Sequence, residues 1–482
     1  MRERKLILSS LVVALLLLAS PSHRLLSTPA NDRVIYTPFE EARKVLEAMS
    51  ELPAELRSVD SAGWMKWAAR RDSEIRARVV QGDEDSLVNF LLFGTSFTRR
   101  PRITSRSITQ LAGKHWQSTA DSPEAAAFKT AVGGRADDLV RALSAAAGNE
   151  RLLFARELAR TKGYEVRTPG GRARVKQYLL ANLARVLNEQ AGYARTLDSA
   201  RLLNDPSAEF IERSKLYSAR GLSSDTSLLP NFAIEKSLAS IQARGLLTRG
   251  SVRRVAVVGP GLDFTDKQDG YDFYPQQTIQ PFAIIDTLVR LGLAAKSDLR
   301  VTTFDLSPRV NDHLQRAIAR AKRGISYTIQ LPRDSRSQWK SDAVAYWSKF
   351  GDQIGALVPP VAVPMDTGDL SVRAVKVPPQ IVSLINALDL NIVLQQIPLE
   401  ATDAFDLIIA TNIFVYYDQL EQSLALTNVA RMLRNGGLLL SNNALLELPG
   451  SVMKSVDYET VVYSERPNDG DHIVWYQRTP PR

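Results

Sequence analysis

Two short segments carry residues whose types and spacing suit the binding of a nucleotide. Gly259, Pro260 and Gly261 directly follow the apolar run Val255–Val258, and Asp305 ends a second apolar run that begins at Leu299. Glycines let the backbone turn sharply and let a ligand approach it closely. A carboxylate at the tip of a neighbouring strand is placed to bind the hydroxyls of a ribose. These strand ends predict a nucleotide site in the crevice outside the carboxyl ends of a parallel sheet.

The two common phosphate-binding motifs do not fit this segment. A dinucleotide fingerprint needs G-x-G-x-x-G opening directly into a helix, whereas Phe264 stands at the third glycine position and a long loop follows. The acid lies 46 residues beyond Gly259, where the fingerprint needs about twenty. No G-x-x-x-x-G-K-[ST] occurs. The sequence therefore disfavours a NAD-type site and excludes a phosphate loop.

Alternating strands and helices in residues 251–482 would position these residues. Short runs that are wholly apolar are typical of strands buried on both faces of a parallel sheet. The last two runs alternate and flank turn residues, which predicts an antiparallel hairpin. Residues 324–390 break the pattern and are predicted to be an insertion, a common place for substrate-binding elements. Beyond Asp305 we predict helices at Val310–Arg323 and Gln419–Leu433 and strands at Asn391–Ile397, Phe405–Ala410, Leu438–Ser441, Tyr458–Ser464 and His472–Arg478.

The first half of the chain has a different character. Residues 31–250 show helical periodicity with no recognisable catalytic grouping, and we predict an all-α domain of unknown role. Residues 1–30 contain Arg2, Arg4 and Lys5 before the apolar stretch Leu6–Ala19, which is typical of a secretory signal peptide or a membrane anchor. Export or anchoring, with membrane contact through this segment, is the localisation we expect, and a cytoplasmic protein with a misassigned start is the alternative.

Composition narrows the class of partner. Residues 1–250 hold 38 Lys and Arg against 27 Asp and Glu, while the remainder is close to neutral. No basic run with interleaved aromatic residues occurs, so a solvated basic surface is favoured over a nucleic-acid partner. The chain has no cysteine, which excludes disulfides, thiolate metal sites and cysteine nucleophiles. No metal site is indicated.

The order of elements from Val252 to Arg478 resembles the class I S-adenosylmethionine-dependent methyltransferases. The resemblance rests on the Gly-Pro-Gly turn, on Asp305, and on FDLIIATNIFVYYD at Phe405–Asp418 followed by MLRNGGLLL at Met432–Leu440. The run at Phe405–Asp418 is most similar to the chemotaxis-receptor glutamate methyltransferases. The resemblance implies a Rossmann-like doubly wound sheet with a C-terminal antiparallel hairpin, and S-adenosyl-L-methionine as the cofactor.

The resemblance also implies roles for individual residues. In that family the glycine turn lies under the methionine part of the cofactor and the acid takes the ribose hydroxyls. The family usually has an acid two residues before the first glycine, where this chain has Val257; Asp263, Asp269 or Asp272 would have to substitute. The implied cofactor-binding residues are Gly259, Pro260, Gly261, Asp305, Leu306, Asn412 and Ile413, and the implied substrate-binding residues are Tyr416 and Tyr417.

Two functions are compatible with these observations. The first is methyl transfer from S-adenosylmethionine to an unidentified acceptor, a protein carboxylate or a small molecule. The second is a non-catalytic, exported or anchored protein that uses the same fold as a binding module, because fold alone does not settle function. Packing roles for Tyr416 and Tyr417, and a turn role for Asp305, stay open at this stage.

Overall fold

A computed structural model describes residues 34–103, 123–145, 148–202, 220–263, 271–364, 367, 369–442, 444–465 and 469–480, without the side chains of residues 124 and 190–202. The expected signal or anchor at residues 1–30 and part of the expected helical domain, including residues 208–219, lie outside these ranges. No helix in the ranges described combines the length and the apolar character that a membrane crossing requires.

Strands and helices alternate from Arg254 onward, as the apolar pattern predicts. The strands are β1 (Ile35–Tyr36), β2 (Arg254–Val258), β3 (Arg300–Asp305), β4 (Tyr327–Asp334), β5 (Ala356–Val358), β6 (Leu370–Val377), β7 (Ile385–Asp389), β8 (Gln395–Gln396), β9 (Phe405–Ala410), β10 (Leu433–Ser441), β11 (Met453–Val462) and β12 (Gly470–Arg478). The helices are α1 (Phe39–Ala48), α2 (Ser61–Phe93), α3 (Pro123–Ser144), α4 (Glu150–Thr161), α5 (Pro169–Leu202), α6 (Leu229–Ala243), α7 (Gln280–Arg290), α8 (Pro308–Ala321), α9 (Ser341–Lys349), α10 (Pro379–Val382) and α11 (Gln419–Met432).

The central sheet has seven strands within the described ranges, in the order β11-β12-β10-β9-β2-β3-β7. Strands β7, β3, β2, β9 and β10 run parallel, whereas β12 is antiparallel to β10 and β11 is antiparallel to β12. The predicted α/β sheet and its closing hairpin are therefore present. The chain winds outward from β2 in both directions, so the strand order reverses between β2 and β9, which is where such sheets bind ligands.

Both faces of the sheet are covered, which explains the wholly apolar strands. Val255 and Val257 point into one core, with α6, α7, α8 and α9, and Ala256 and Val258 point into a second core on the opposite face. The second core contains α11 and also Trp64 and other residues of α1 and α2. Thus the beginning of the first half packs directly against the sheet, on the same face as α11.

The long helix α2 belongs to two cores. Its first half packs on the sheet, and its last residues, from Leu87 to Phe93, pack with α3, α4 and α5 in a third, wholly helical core. Asp60 caps its start by accepting a hydrogen bond from the Gly63 amide at 2.7 Å. The boundary near residue 250 stays a prediction, but one helix physically couples the helical region to the sheet.

Two expectations about residues 324–397 need correction. Strand β7, the edge strand that pairs with β3, lies within the segment expected to be an insertion. The predicted strand Asn391–Ile397 is a strand only at the two residues of β8, which pair with β1. Asn391 turns the chain by accepting the Leu394 amide on its carbonyl oxygen at 3.0 Å, and the apolar side chains that follow are buried in the second core. The segment expected to be an insertion also contains α9, α10 and a separate antiparallel sheet with the strand order β4-β6-β5.

Candidate functional site

A cavity of about 350 Å³ opens at the carboxyl edge of the sheet, where β2, β3 and β9 end. Its volume lies within the usual range of small-molecule sites. Its walls come from the strand ends, from the segment before α6, from the middle of α2 and from the β11–β12 hairpin. Its described lining is Val79, Leu222, Ser223, Ser224, Asp225, Thr226, Ser227, Leu229, Pro230, Val258, Gly259, Gly261, Gln280, Phe304, Asp305, Leu306, Ser307, Leu390, Ile392, Thr411, Asn412, Ile413, Tyr416, Tyr417, Tyr463, Asp469, Gly470 and Asp471.

The glycine turn after β2 forms part of the cavity wall. Gly259 and Gly261 have φ values of 65° and 63°, a left-handed conformation that side chains with a Cβ rarely adopt. A Cβ at Gly259 would lie 2.2 Å from Cδ1 of Ile413, and one at Gly261 would lie 2.7 Å from the Ser224 carbonyl oxygen. Pro260 is buried between them and is not among the described lining residues. Both glycines are thus required by conformation and by close packing.

Asp305 ends β3 on the same edge and is 9% exposed. Its Oδ1 accepts the Ser307 amide at 2.8 Å, so it also closes the turn into α8. Burial raises the pKa of Asp305 to about 7, against the opposing effects of the Ser307 and Gly261 amides and the Arg309 charge. A carboxyl group in a cavity with a pKa raised to near neutral pH is typical of functional positions.

Ser307, two residues beyond, lines the same cavity. Its side chain is 2% exposed, and its Oγ has no hydrogen-bond partner within the described structure. Buried hydroxyls are normally hydrogen-bonded, and an exception calls for an explanation such as a ligand. Ser307 Oγ and the Asp305 carboxylate together offer a donor and acceptors to hydroxyl groups.

The turn that follows β9 lies opposite the glycine turn in the cavity wall. Asn412 has φ of 59°, one of two non-glycine residues with positive φ in the described ranges. Two hydrogen bonds with Asn442 hold it: its amide donates to Asn442 Oδ1 at 2.7 Å, and Asn442 Nδ2 donates to its Oδ1 at 2.6 Å. Backbone strain of this kind persists only where neighbouring groups enforce it, and it clusters at functional sites.

Tyr416 and Tyr417 follow in the same wall and serve packing as well. Tyr417 is 4% exposed, and the Gln422 side chain donates to its carbonyl oxygen at 2.8 Å. Arg78 of α2 donates to the Tyr416 carbonyl oxygen at 2.8 Å and lies 5.9 Å from the Tyr417 ring centroid. The next residue, Asp418, caps α11 with a capping box. The two tyrosines are therefore fixed on the cavity wall by α2 and α11.

The β11–β12 hairpin closes the far end of the cavity with Tyr463, Asp469 and Asp471. The Tyr463 hydroxyl donates to the Asp471 carboxylate, and the Ser464 hydroxyl donates to Asp469. Burial raises the pKa of Asp471, the hydrogen bonds from Tyr463 and Asn442 oppose the shift, and the neighbouring Asp469 charge adds to it.

Comparison with known proteins adds little to this geometry. No protein-family model and no curated protein matches this chain. Among solved structures, the N-methyltransferase NodS from Bradyrhizobium japonicum WM9 is similar over 51% of this chain and 97% of its own, with 14% identity and a TM-score of 0.25. The same enzyme in complex with S-adenosyl-L-homocysteine gives 56% and 99% coverage, 12% identity and a TM-score of 0.26. An O-methyltransferase family protein from Burkholderia thailandensis gives 75% and 99%, 8% identity and a TM-score of 0.25.

All three of these structures are named as methyltransferases. At such identities and TM-scores the likeness carries no argument about this chain. Similarity to the chemotaxis-receptor type stays a prediction.

Neither Asp263 nor Asp272, two of the three acids expected to compensate for Val257, lines the described cavity. Asp263 accepts hydrogen bonds from Tyr274 and from Gln277, at 2.9 and 2.7 Å, and is absent from the described lining of the cavity. Asp272 binds the Thr95 and Ser96 amides at 2.6 and 2.9 Å. Asp269 lies outside the described residues.

Sequence reasoning missed Asp225, which does line the cavity. It lies beside the glycine turn because the Leu262 amide donates to the Ser224 carbonyl at 2.7 Å and the Thr226 amide donates to the Leu262 carbonyl at 3.0 Å. Its carboxylate accepts from Ser86 Oγ at 2.7 Å and from Asn89 at 3.1 Å. The only local signal is the cluster of Ser, Asp and Thr just before α6, a pattern typical of helix starts.

Proposed function

We propose that this chain is an S-adenosylmethionine-dependent methyltransferase whose cofactor lies across the ends of β2, β3 and β9. The observation that carries the proposal is the meeting of the glycine turn, Asp305 and the strained Asn412 at the point where the strand order reverses. A ligand at this point can contact backbone at the glycines and a carboxylate at the next strand.

The chemistry of the lining supports this cofactor. Asp305 and Ser307 would bind the ribose hydroxyls, and the unpartnered Ser307 Oγ is a group that such a ligand would satisfy. Leu306, Leu390 and Ile392 offer an apolar surface next to Asp305, suited to a flat base. The glycine turn, with Asn412 and Ile413 across from it, would lie against the amino-acid part.

Asp225 is our candidate for the acid that the first motif lacks. It lines the cavity beside Gly261 and carries two neutral hydrogen-bond donors, Ser86 and Asn89. Neither donor neutralises the carboxylate, so it is available to the ammonium group of an amino acid. This would place the cofactor's amino-acid end at the segment Ser223–Ser227.

When bound, the cofactor supplies an activated methyl group on a sulfonium centre. The residues of this chain then have three tasks: to align the acceptor with that methyl, to exclude water and to stabilise the positive charge. Tyr416 and Tyr417 are positioned on the wall to do the last two, since aromatic faces stabilise cations. Localisation by residues 1–30 remains a prediction apart from this proposal.

Calorimetric titration of the full-length chain with S-adenosylmethionine and S-adenosylhomocysteine tests the proposal. Asp305→Ala should weaken binding by about 1.5–3 kcal/mol, the contribution of a hydrogen bond to a charged group. Asp298→Ala is the matched control, because Asp298 is exposed just before the opposite end of the same strand. Absence of binding by folded wild-type protein would refute the proposal and favour the interaction module.

A further inference from the structure

One segment of the cavity wall is held from behind by an arginine that is absent from the described lining. Arg309 is the second residue of α8, and its side chain is 13% exposed. Its Nη2 donates a hydrogen bond to Ser224 Oγ at 2.6 Å and lies 3.0 Å from Oδ1 of Asp83 in α2. Its guanidinium carbon lies 4.0 Å from the ring centroid of Phe154 in α4. One side chain of the sheet region therefore contacts the cavity wall and two helices of the first half.

Ser224, which accepts the hydrogen bond from Arg309, packs against the glycine turn. Its carbonyl oxygen accepts the Leu262 amide at 2.7 Å and lies 2.7 Å from the place that a Cβ at Gly261 would occupy. Ser224 is 8% exposed and directly precedes Asp225. The position of Ser224 therefore determines how Asp225 lies relative to the glycine turn.

Helix α2 holds Asp225 as well. Ser86 Oγ and the Asn89 side chain donate to its two carboxylate oxygens, at 2.7 and 3.1 Å. Together with Asp83, the partner of Arg309, these residues recur every third position and share one face of the helix. That face of α2 therefore binds both Arg309 and Asp225.

The beginning of the same wall segment packs on α2 with no room for a side chain between them. A Cβ at Gly82 would lie 1.8 Å from the Leu222 carbonyl oxygen, and the Leu222 amide donates to the Arg78 carbonyl at 2.9 Å. Because such close-packed contacts transmit displacements, the segment cannot shift unless α2 shifts with it.

We propose that Arg309 is a positioning residue for the cofactor site, which joins α8 to α2 and thereby holds Ser224 and Asp225 at the amino-acid end of S-adenosylmethionine. The inference rests on the proposed function and deepens it. Arg309 acts through these residues and not on the cofactor itself, and it makes cofactor affinity depend on the docking of the helical region. The ribose end, at Asp305, is held by β3 and by the Ser307 amide instead.

The charge of Arg309 has a smaller effect at the ribose end. It opposes the rise that burial causes in the pKa of Asp305, whereas the Asp389 charge on β7 adds to that rise. Removing Arg309 should therefore raise this pKa further. A rise of one unit would halve the ionised fraction of Asp305 at pH 8, so any ligand with a ribose should bind about twofold more weakly.

Two ligands separate the two ends of the site. S-adenosylhomocysteine carries the amino-acid part, and 5′-methylthioadenosine has the same base, ribose and sulfur without it. For the full-length chain at pH 8, Arg309→Met should weaken S-adenosylhomocysteine binding about tenfold or more, the effect of losing a hydrogen bond to a charged group. It should weaken 5′-methylthioadenosine binding only about twofold. Calorimetry measures the first ligand, and ligand-observed NMR up to millimolar concentration measures the second.

Arg316→Met is the matched control, because it makes the same substitution at an exposed position of α8. It should change neither affinity. Folding of each variant is checked by circular dichroism and cooperative thermal unfolding.

Asp83→Ala separates positioning from a direct contact between Arg309 and the cofactor. An arginine that bound the carboxylate of the ligand directly would keep or gain affinity once Asp83 no longer held it. We expect Asp83→Ala instead to weaken S-adenosylhomocysteine binding about tenfold, because Arg309 loses its anchor on α2, and to leave 5′-methylthioadenosine binding unchanged. If Arg309→Met does not fold, Asp83→Ala decides alone.

The outcomes divide as follows. A loss of S-adenosylhomocysteine affinity that exceeds the loss for 5′-methylthioadenosine about fivefold or more, in each folded variant, supports the inference. A smaller difference, or unchanged S-adenosylhomocysteine affinity in Asp83→Ala, overturns it and leaves the proposed function standing. Wild-type binding of S-adenosylhomocysteine without 5′-methylthioadenosine also overturns it, because the two ends would not bind separately. Failure of the folded wild type to bind either ligand overturns the proposed function and this inference together.

Discussion

Replacing Asp305 by Asn should stabilise the ligand-free protein at alkaline pH while it weakens cofactor binding. Burial raises the pKa of Asp305 from 3.8 to about 7. Between these values the folded state binds more protons than the unfolded state, so the contribution of Asp305 to stability falls as pH rises from about 4 to 7. One pKa unit corresponds to 1.36 kcal/mol, so the charged form carries a penalty of about 4 kcal/mol at pH 8.

Asn keeps the acceptor for the Ser307 amide and carries no charge to desolvate. We therefore expect Asp305→Asn to raise the Tm by several degrees at pH 8, with the gain disappearing by about pH 5 where wild-type Asp305 is protonated in the folded state. Scanning calorimetry of both proteins without ligand, at pH 5, 6.5 and 8, measures this. Asp298→Asn, at an exposed site, should have no effect at any pH.

A gain that is equal at pH 5 and pH 8 would refute the reasoning, because it could not come from the charge of Asp305. No gain at pH 8 would show that the carboxylate is better compensated in the folded protein than its burial indicates. The expected pattern, stability sacrificed at a ligand-binding carboxylate, is a common feature of functional sites.

Three further predictions concern the same cavity. The ribose hydroxyls need the ionised carboxylate, and the pKa of Asp305 is about 7. The affinity of the wild type for S-adenosylhomocysteine, measured by calorimetry, should therefore fall about tenfold from pH 8 to pH 6. Asp305→Asn has no carboxyl to titrate at this position and should show weak binding that does not change with pH. Gly261→Ala should lose binding, since its Cβ would lie 2.7 Å from the Ser224 carbonyl oxygen; retained affinity would show that this segment moves away at little cost. Asn442→Ala breaks both hydrogen bonds to Asn412 and should lower the free energy of unfolding by about 1–3 kcal/mol, as measured by urea denaturation. Asn412→Gly should lower it less, because glycine suits the positive φ. The reverse order of the two variants would contradict the assignment of strain.

The elements that sequence predicted are those with local signals. Val255–Val258 and Phe405–Ala410 are wholly apolar and short, and both form central strands, β2 and β9. The edge strand β7, Ile385–Asp389, was missed because its exposed Asn386 and half-buried Asp389 interrupt the apolar pattern. The apolar run after Asn391 does not continue as a strand but is buried under α11. Periodicity alone cannot distinguish such a buried run from a strand.

The residues of the candidate site likewise divide into those with a local sequence signal and those without one. Gly259, Gly261 and Asp305 stand at strand ends and were identified from their immediate neighbours. Asp225 and Asp471 come from segments before and long after these strands, and only tertiary packing brings them to the cavity. Proximity in sequence pointed instead to Asp263, whose carboxylate is occupied by Tyr274 and Gln277.

The central claim is that the ends of β2, β3 and β9 bind S-adenosylmethionine. Titration of the full-length protein with S-adenosylhomocysteine at pH 8, for wild type, Asp305→Ala and Asp298→Ala, tests it most directly. We expect saturable binding by the wild type and by Asp298→Ala, and a loss of about 1.5–3 kcal/mol in Asp305→Ala. Equal affinity in all three proteins, or no binding by any of them when folded, would contradict the account.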